Sequence, residues 1–198
     1  MTETLPRVRF KGAGHALQWA DEVLDVEEVG NFLKGYRKYW QQAYKSVGGS
    51  PYTPEDYRDL ASTIIVAWSQ IEPAVHRLVL RECHGDQHPD RREQAAESIA
   101  DAMTAVDPCR HWLTCRTIAH VAIQRQRIYE QRGKRPGLRM YAEELGISRQ
   151  AVAKSRWGDL IAAAEGMSER SVRSGERELG AALQSANILA AEVDTRAG

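Results

Sequence analysis

The residues best suited to chemistry lie in GISRQAVAK, Gly146 to Lys154. Arg149 can pair bidentately with guanine and Gln150 with adenine, while Lys154 suits a phosphate. Such side chains read bases only from a rigid mount, and the surrounding residues offer one. A helix-turn-helix unit needs a small residue where its helices touch, a glycine able to take positive φ and an apolar turn residue. It then needs a capping hydroxyl and a branched apolar residue on the second helix. Ala142, Gly146, Ile147, Ser148 and Val152 supply these in order, with Tyr141 and Leu145 for the buried face of the first helix. The exposed edge would then be Ser148, Arg149, Gln150, Ala153 and Lys154.

The same skeleton recurs at once, as Ala162, Gly166, Met167, Ser168 and Val172. Gly175 departs from it, standing where an apolar core residue is wanted. The two copies must share a helix, which predicts helices over 139–145, 149–164 and 169–189, with base reading by the first turn. Arg170, Arg173 and Arg177 would then serve as phosphate contacts or as a packing and dimer surface.

Upstream, Arg116 to Arg139 is the most basic tract, and Arg132, Lys134 and Arg135 mark the linker GKRPGLR as a phosphate-contacting segment. Acidic stretches at Asp21–Glu28 and Asp86–Asp107 balance it. Before the tract lies a looser helix pair. Ala95, Ala96, Ile99 and Met103 stripe one helix, and Trp112, Cys115, Ile118 and Ala122 stripe the next. Asp107 is the expected cap, with Pro108 opening the second helix. Arg110, Thr114, Arg116 and Thr117 lie off the apolar stripe.

Other chemistries fare worse. Cys83, His84 and His88, with Cys109, His111 and Cys115, are zinc-ligand types, but they lack the tight paired spacing of structural zinc sites, and Cys115 falls on a core stripe. No cofactor is expected. No phosphate-cradling glycine loop appears, nor a Ser/His/Asp or Cys/His set with supporting spacing, so no enzyme is expected. His76 and His120 read as helix-surface or core histidines.

The elements that must position these residues are helical throughout. Apolar residues recur with the helical period and β-branched alternation is scarce, which predicts an all-α protein. The 198 residues carry 27 Lys and Arg against 27 Asp and Glu, so any nucleic-acid contact must come from local patches. Three cysteines are an odd count that suits a reducing compartment. No apolar run approaches a membrane span, and no signal core opens the chain, so a cytoplasmic protein is expected. Three parts are expected. Residues 1–50 hold an arm up to about Ala13 and an aromatic-basic helix around Lys34–Trp40. Residues 51–132 form the middle helical block, entered through Thr53 as a cap and Pro54. Residues 133–198 hold the basic linker and the tandem helix-turn-helix segment.

The middle block, IIVAWSQIEPAVHRLVLREC followed by the Ala95–Ala122 helix pair, resembles the sigma-factor region that binds promoter DNA. With KGYRKYWQQAYKSVGG, LVLRECHG and WLTCRTIAHVAI, the chain from Lys34 to Gln131 resembles phage late-gene antiterminators of the Q type, which carry a sigma-region-4-like helix-turn-helix. The resemblance implies binding near a late promoter and loading onto RNA polymerase paused with its sigma factor, which then ignores terminators. By matching position, Arg110, Thr114, Arg116 and Thr117 would face DNA, and Tyr36–Trp40 could serve the polymerase. The implied partners are double-stranded DNA, RNA polymerase with its sigma factor and a second copy of the chain. The alternatives are a plain helix-turn-helix repressor or activator and a small-terminase-like packaging subunit.

Overall fold

A computed structural model describes residue 8 and residues 10–24, 54–85, 89–153 and 155–189. The aromatic-basic segment Lys34–Trp40, the cap Thr53, His88 and Lys154 lie outside the described residues, as does most of the N-terminal arm. The described part is all-α. Its helices are α1 (Ala13–Leu24), α2 (Pro54–Ser69), α3 (Ala74–His84), α4 (Pro89–Val106), α5 (Trp112–Arg132), α6 (Arg139–Leu145), α7 (Arg149–Val152) and α8 (Ser155–Ser185).

Most starts and stops follow from local chemistry. Pro54 opens α2 with Glu55 and Asp56 in the first turn, where a fixed φ and negative charge suit a helix N-terminus. Gly133 closes α5 and Gly146 closes α6, each in the left-handed region. Asp107 does not cap α5. Its side chain accepts from the Cys109 amide at 3.1 Å and its carbonyl from the Arg110 amide at 3.0 Å. The residue therefore closes a separate turn, and the helix begins at Trp112.

The expected second turn at Gly166–Ser168 is absent. Residues 155–185 form one helix of 31 residues, about 47 Å long at 1.5 Å per residue. Its buried residues Ile161, Ala164, Ser168, Val172, Leu179 and Leu183 keep helical spacing straight through the supposed turn, so a break would throw half of that stripe out of the core. α8 packs against α1 to α5, and a single hydrophobic core draws on α1 through α8. α4 and α5 lie together as a long hairpin with Ala95, Ala96, Ile99 and Met103 facing Cys115, Ile118 and Ala122 in that core. Trp112 is only half-buried, and its indole N–H donates to Asp101 Oδ1 at 2.7 Å.

Candidate nucleic-acid interface

The turn between α6 and α7 is built as its sequence suggests. Gly146 has φ 63°, and its amide donates to Glu143 O at 3.3 Å while the Ile147 amide donates to Ala142 O at 3.0 Å. This pair of bonds is the Schellman closure of a helix. Ser148 then takes an extended conformation, and its Oγ accepts from the Ala151 amide at 3.1 Å, capping α7. Tyr141, Ala142 and Val152 are buried beneath the turn, whereas Ser148, Arg149 and Gln150 are exposed on top. α7 is a single turn that ends at Ala153, much shorter than the 149–164 helix expected.

Nothing would crowd a Cβ at Gly146, so a substitution there meets only the left-handed backbone penalty. Gly146→Val is expected to cost about 1–2 kcal/mol in thermal denaturation, with Gly146→Asn, which tolerates this conformation, close to wild type. Equal melting temperatures for the two variants would remove the physical basis of the turn.

Beneath the turn, polar groups fix α6 to α5 and α8. Arg125 is buried and pairs with Glu165, while its Nε and Nη2 donate to Pro136 O at 3.1 and 2.6 Å. Its guanidinium also lies 5.0 Å from the Tyr141 ring centroid. The Tyr141 hydroxyl donates to Glu165 Oε1 at 3.1 Å. Burial and the Glu165 carboxylate raise the Tyr141 pKa well above its ordinary value, so the group remains a donor. Arg135 donates to Glu169 at 2.6 Å and to Gln126 Oε1 at 3.0 Å, and the Glu169 bond raises its pKa.

The predicted DNA-facing cations therefore divide. Arg116 is held by Glu93 and Glu97, Arg135 by Glu169, and Arg173 by Glu130 at 3.0 Å and Glu176 at 2.9 Å. Arg110 pairs with Asp107 at 3.1 Å. Arg132, Lys134, Arg149 and Arg170 are exposed and have no ion pair among the described residues. Thr117 is half-buried, and its hydroxyl donates to Leu113 O at 3.0 Å. Thr114 Oγ1 lies 3.5 Å from His111 Nδ1.

Arg110 and Thr114 nevertheless share a surface with the start of α8. Together with Asp107, Cys109 and His111 they form one wall of a pocket of about 460 Å³, and Trp157, Asp159 and Leu160 at the start of α8 form the other. Exposed Val106 and Leu113 flank the same turn. The Arg110 guanidinium in its lining is held by Asp107, and Asp159 stands on the opposite wall.

Of the zinc-ligand types considered in the sequence, Cys83, His84, Cys109, His111 and Cys115 do not gather with one another among the described residues. Cys83 and Cys115 are buried and Cys109 is exposed. Burial, reinforced by Glu130 and Glu82, pushes the Cys83 pKa far up, which disfavours the thiolate a metal needs. His120 is half-buried on α5, and burial with the Arg92 guanidinium lowers its pKa. His76 lies 3.3 Å from Glu178 of α8.

Sequence reading missed a second polar centre where α3, α5 and α8 meet. His84 Nε2 is 3.1 Å from Glu176 Oε1, and Glu130 is part of the same group. Burial raises the Glu176 pKa, but the His84 and Arg173 contacts outweigh it and leave the carboxyl below its ordinary value. Nearby, fully buried Glu82 is held by Arg92 at 2.7 Å. Only the placement of His84 on the last turn of α3 could have hinted at this centre, because its partners are remote in sequence. In comparisons with known proteins, the chain matches no protein family, no curated sequence and no solved structure.

Proposed function

We propose that the protein is a sequence-specific transcription regulator that binds double-stranded DNA through the Ser148–Gln150 edge of α7. One observation carries this reading: Arg149 and Gln150 stand exposed just behind a capped helix start, on a turn whose underside is buried. Residues at the start of a recognition helix are the ones that reach base edges, so even a one-turn helix can present them. Arg132 and Lys134, exposed where α5 leads into α6, supply phosphate contacts. Arg116 and Arg135 serve instead as internal ties, because freeing either would strip carboxylates of their partner.

Following the resemblance over Lys34–Gln131, the regulator would act as a late-gene antiterminator on RNA polymerase and its sigma factor. The pocket at the α4–α5 turn, with exposed Val106 and Leu113 beside it, suits a protein partner. A plain repressor or activator shares the DNA contacts and lacks the polymerase step.

Selecting bound fragments from random DNA is the direct test. On a selected site, Arg149→Ala and Gln150→Ala are each expected to relax preference at one or two bases, by about 1–3 kcal/mol per lost bidentate pair. Arg132→Ala with Lys134→Ala should weaken all sequences alike and reduce the salt slope by roughly 2. Retained base preference in both α7 variants would refute the proposed reader. Promoter-dependent terminator readthrough with polymerase added separates the antiterminator from the repressor.

A further inference from the structure

The geometry points to a binding site for one divalent first-row transition ion, of the Zn²⁺ type, formed by His84 of α3, Glu130 of α5 and Glu176 of α8. One ligand atom from each residue lies within 4.8 Å of the other two. Tetrahedral ligands with bonds of about 2.1 Å stand about 3.4 Å apart, so closure needs shifts of roughly 1 Å, within the torsional reach of two glutamates. An imidazole with two carboxylates suits first-row ions and leaves a position for water.

The placement of the His84 ring supports the same reading. Its Nε2 is enclosed and lies 3.1 Å from Glu176 Oε1. A Cβ on Gly14 would come within 2.7 Å of the opposite ring nitrogen, Nδ1, so α1 backs the ring on that side. With that side backed, the ring turns Nε2 toward the Glu176 carboxylate, where an ion could take both as ligands.

The site already draws a cation. Arg173 bonds both carboxylates, at 3.0 and 2.9 Å, yet its side chain is 49% exposed. One guanidinium between two carboxylates leaves negative charge in excess, and an exposed arginine can swing aside to admit an ion. Gln126 donates to Glu130 Oε1 at 2.6 Å and orients it, as outer partners of metal ligands do. Glu176, 28% exposed, keeps a path open to solvent.

The test is titration of the full chain with Zn²⁺ alone, followed by calorimetry and native mass spectrometry, in a Cys109→Ser background that removes the exposed thiol. The expected result is one ion per chain, weakened about tenfold or more by Glu130→Gln and by Glu176→Gln and tightened by Arg173→Ala. The near-isosteric glutamine variants keep the fold. A Co²⁺ complex should show no thiolate charge-transfer band. No binding, affinity unchanged in both glutamine variants, or a thiolate band would each overturn the site.

Discussion

Replacing Arg125 with alanine is expected to destabilise the protein by about 3–5 kcal/mol, the usual result of removing one partner from a buried ion pair. For a chain of this size that is a fall in melting temperature on the order of 6–20 °C. The side chain is 7% exposed, pairs with Glu165, bonds Pro136 O twice and stacks on Tyr141. Its loss leaves the Glu165 carboxylate with only the Tyr141 hydroxyl at 3.1 Å and the more distant Arg135 at 3.8 Å, and leaves the Pro136 carbonyl without the donors that fasten the linker before α6. Adding Glu165→Gln should recover part of the loss, because the two effects share one network and cannot add. Hydrogen exchange should rise first in α6 and α7, the elements this network fastens. A melting temperature within 2 °C of wild type would show that α6 is held by apolar packing alone.

The Arg125 network also marks where sequence reading reached its limit. The Gly146–Ser148 turn was legible because its causes are local: a left-handed glycine, a capping hydroxyl and buried Tyr141, Ala142 and Val152 within a few residues. The stripes of α4 and α5 were legible for the same reason, since helical period is a local signal. The fate of the arginines was not. Arg116, Arg125 and Arg135 look alike in a basic tract, yet each meets a carboxylate from another helix, as Arg173 does further along, and no spacing rule names that partner. His84, Glu130 and Glu176 were hidden likewise, because each belongs to a different helix.

The repeated skeleton failed for a different reason. Gly166 and Ser168 offer the same local turn chemistry as Gly146 and Ser148, but Ser168 is fully buried in the stripe that runs from Ile161 to Leu183. Tertiary packing of that stripe outweighs the turn preference, which is worth only about 1 kcal/mol per glycine or cap. The first copy escapes this because α6 and α7 lie at the edge of the core, and only Tyr141, Ala142 and Val152 of the unit are buried.

Gly175 and Gly166 put this account at risk together. Gly175, which looked like a fault in the repeat, is buried where α8 meets α3. A Cβ there would stand 3.1 Å from His76 O and 3.2 Å from Leu80 Cβ. The carbonyl belongs to a helix backbone that cannot yield, and His76–Glu178 and His84–Glu176 bind the same two helices. Gly175→Val is therefore expected to cost about 1–3 kcal/mol by overpacking, a drop on the order of 3–10 °C. Gly166→Ala should do the reverse. Its Cβ would meet only the flexible end of Arg170, at 3.3 Å, and alanine in a helix interior is favoured over glycine by about 0.5–1 kcal/mol. A turn at Gly166 needing positive φ would instead make the alanine variant less stable. Thermal melts of the two variants separate the cases by sign, and a loss at Gly166→Ala would restore the second turn and break α8 in two.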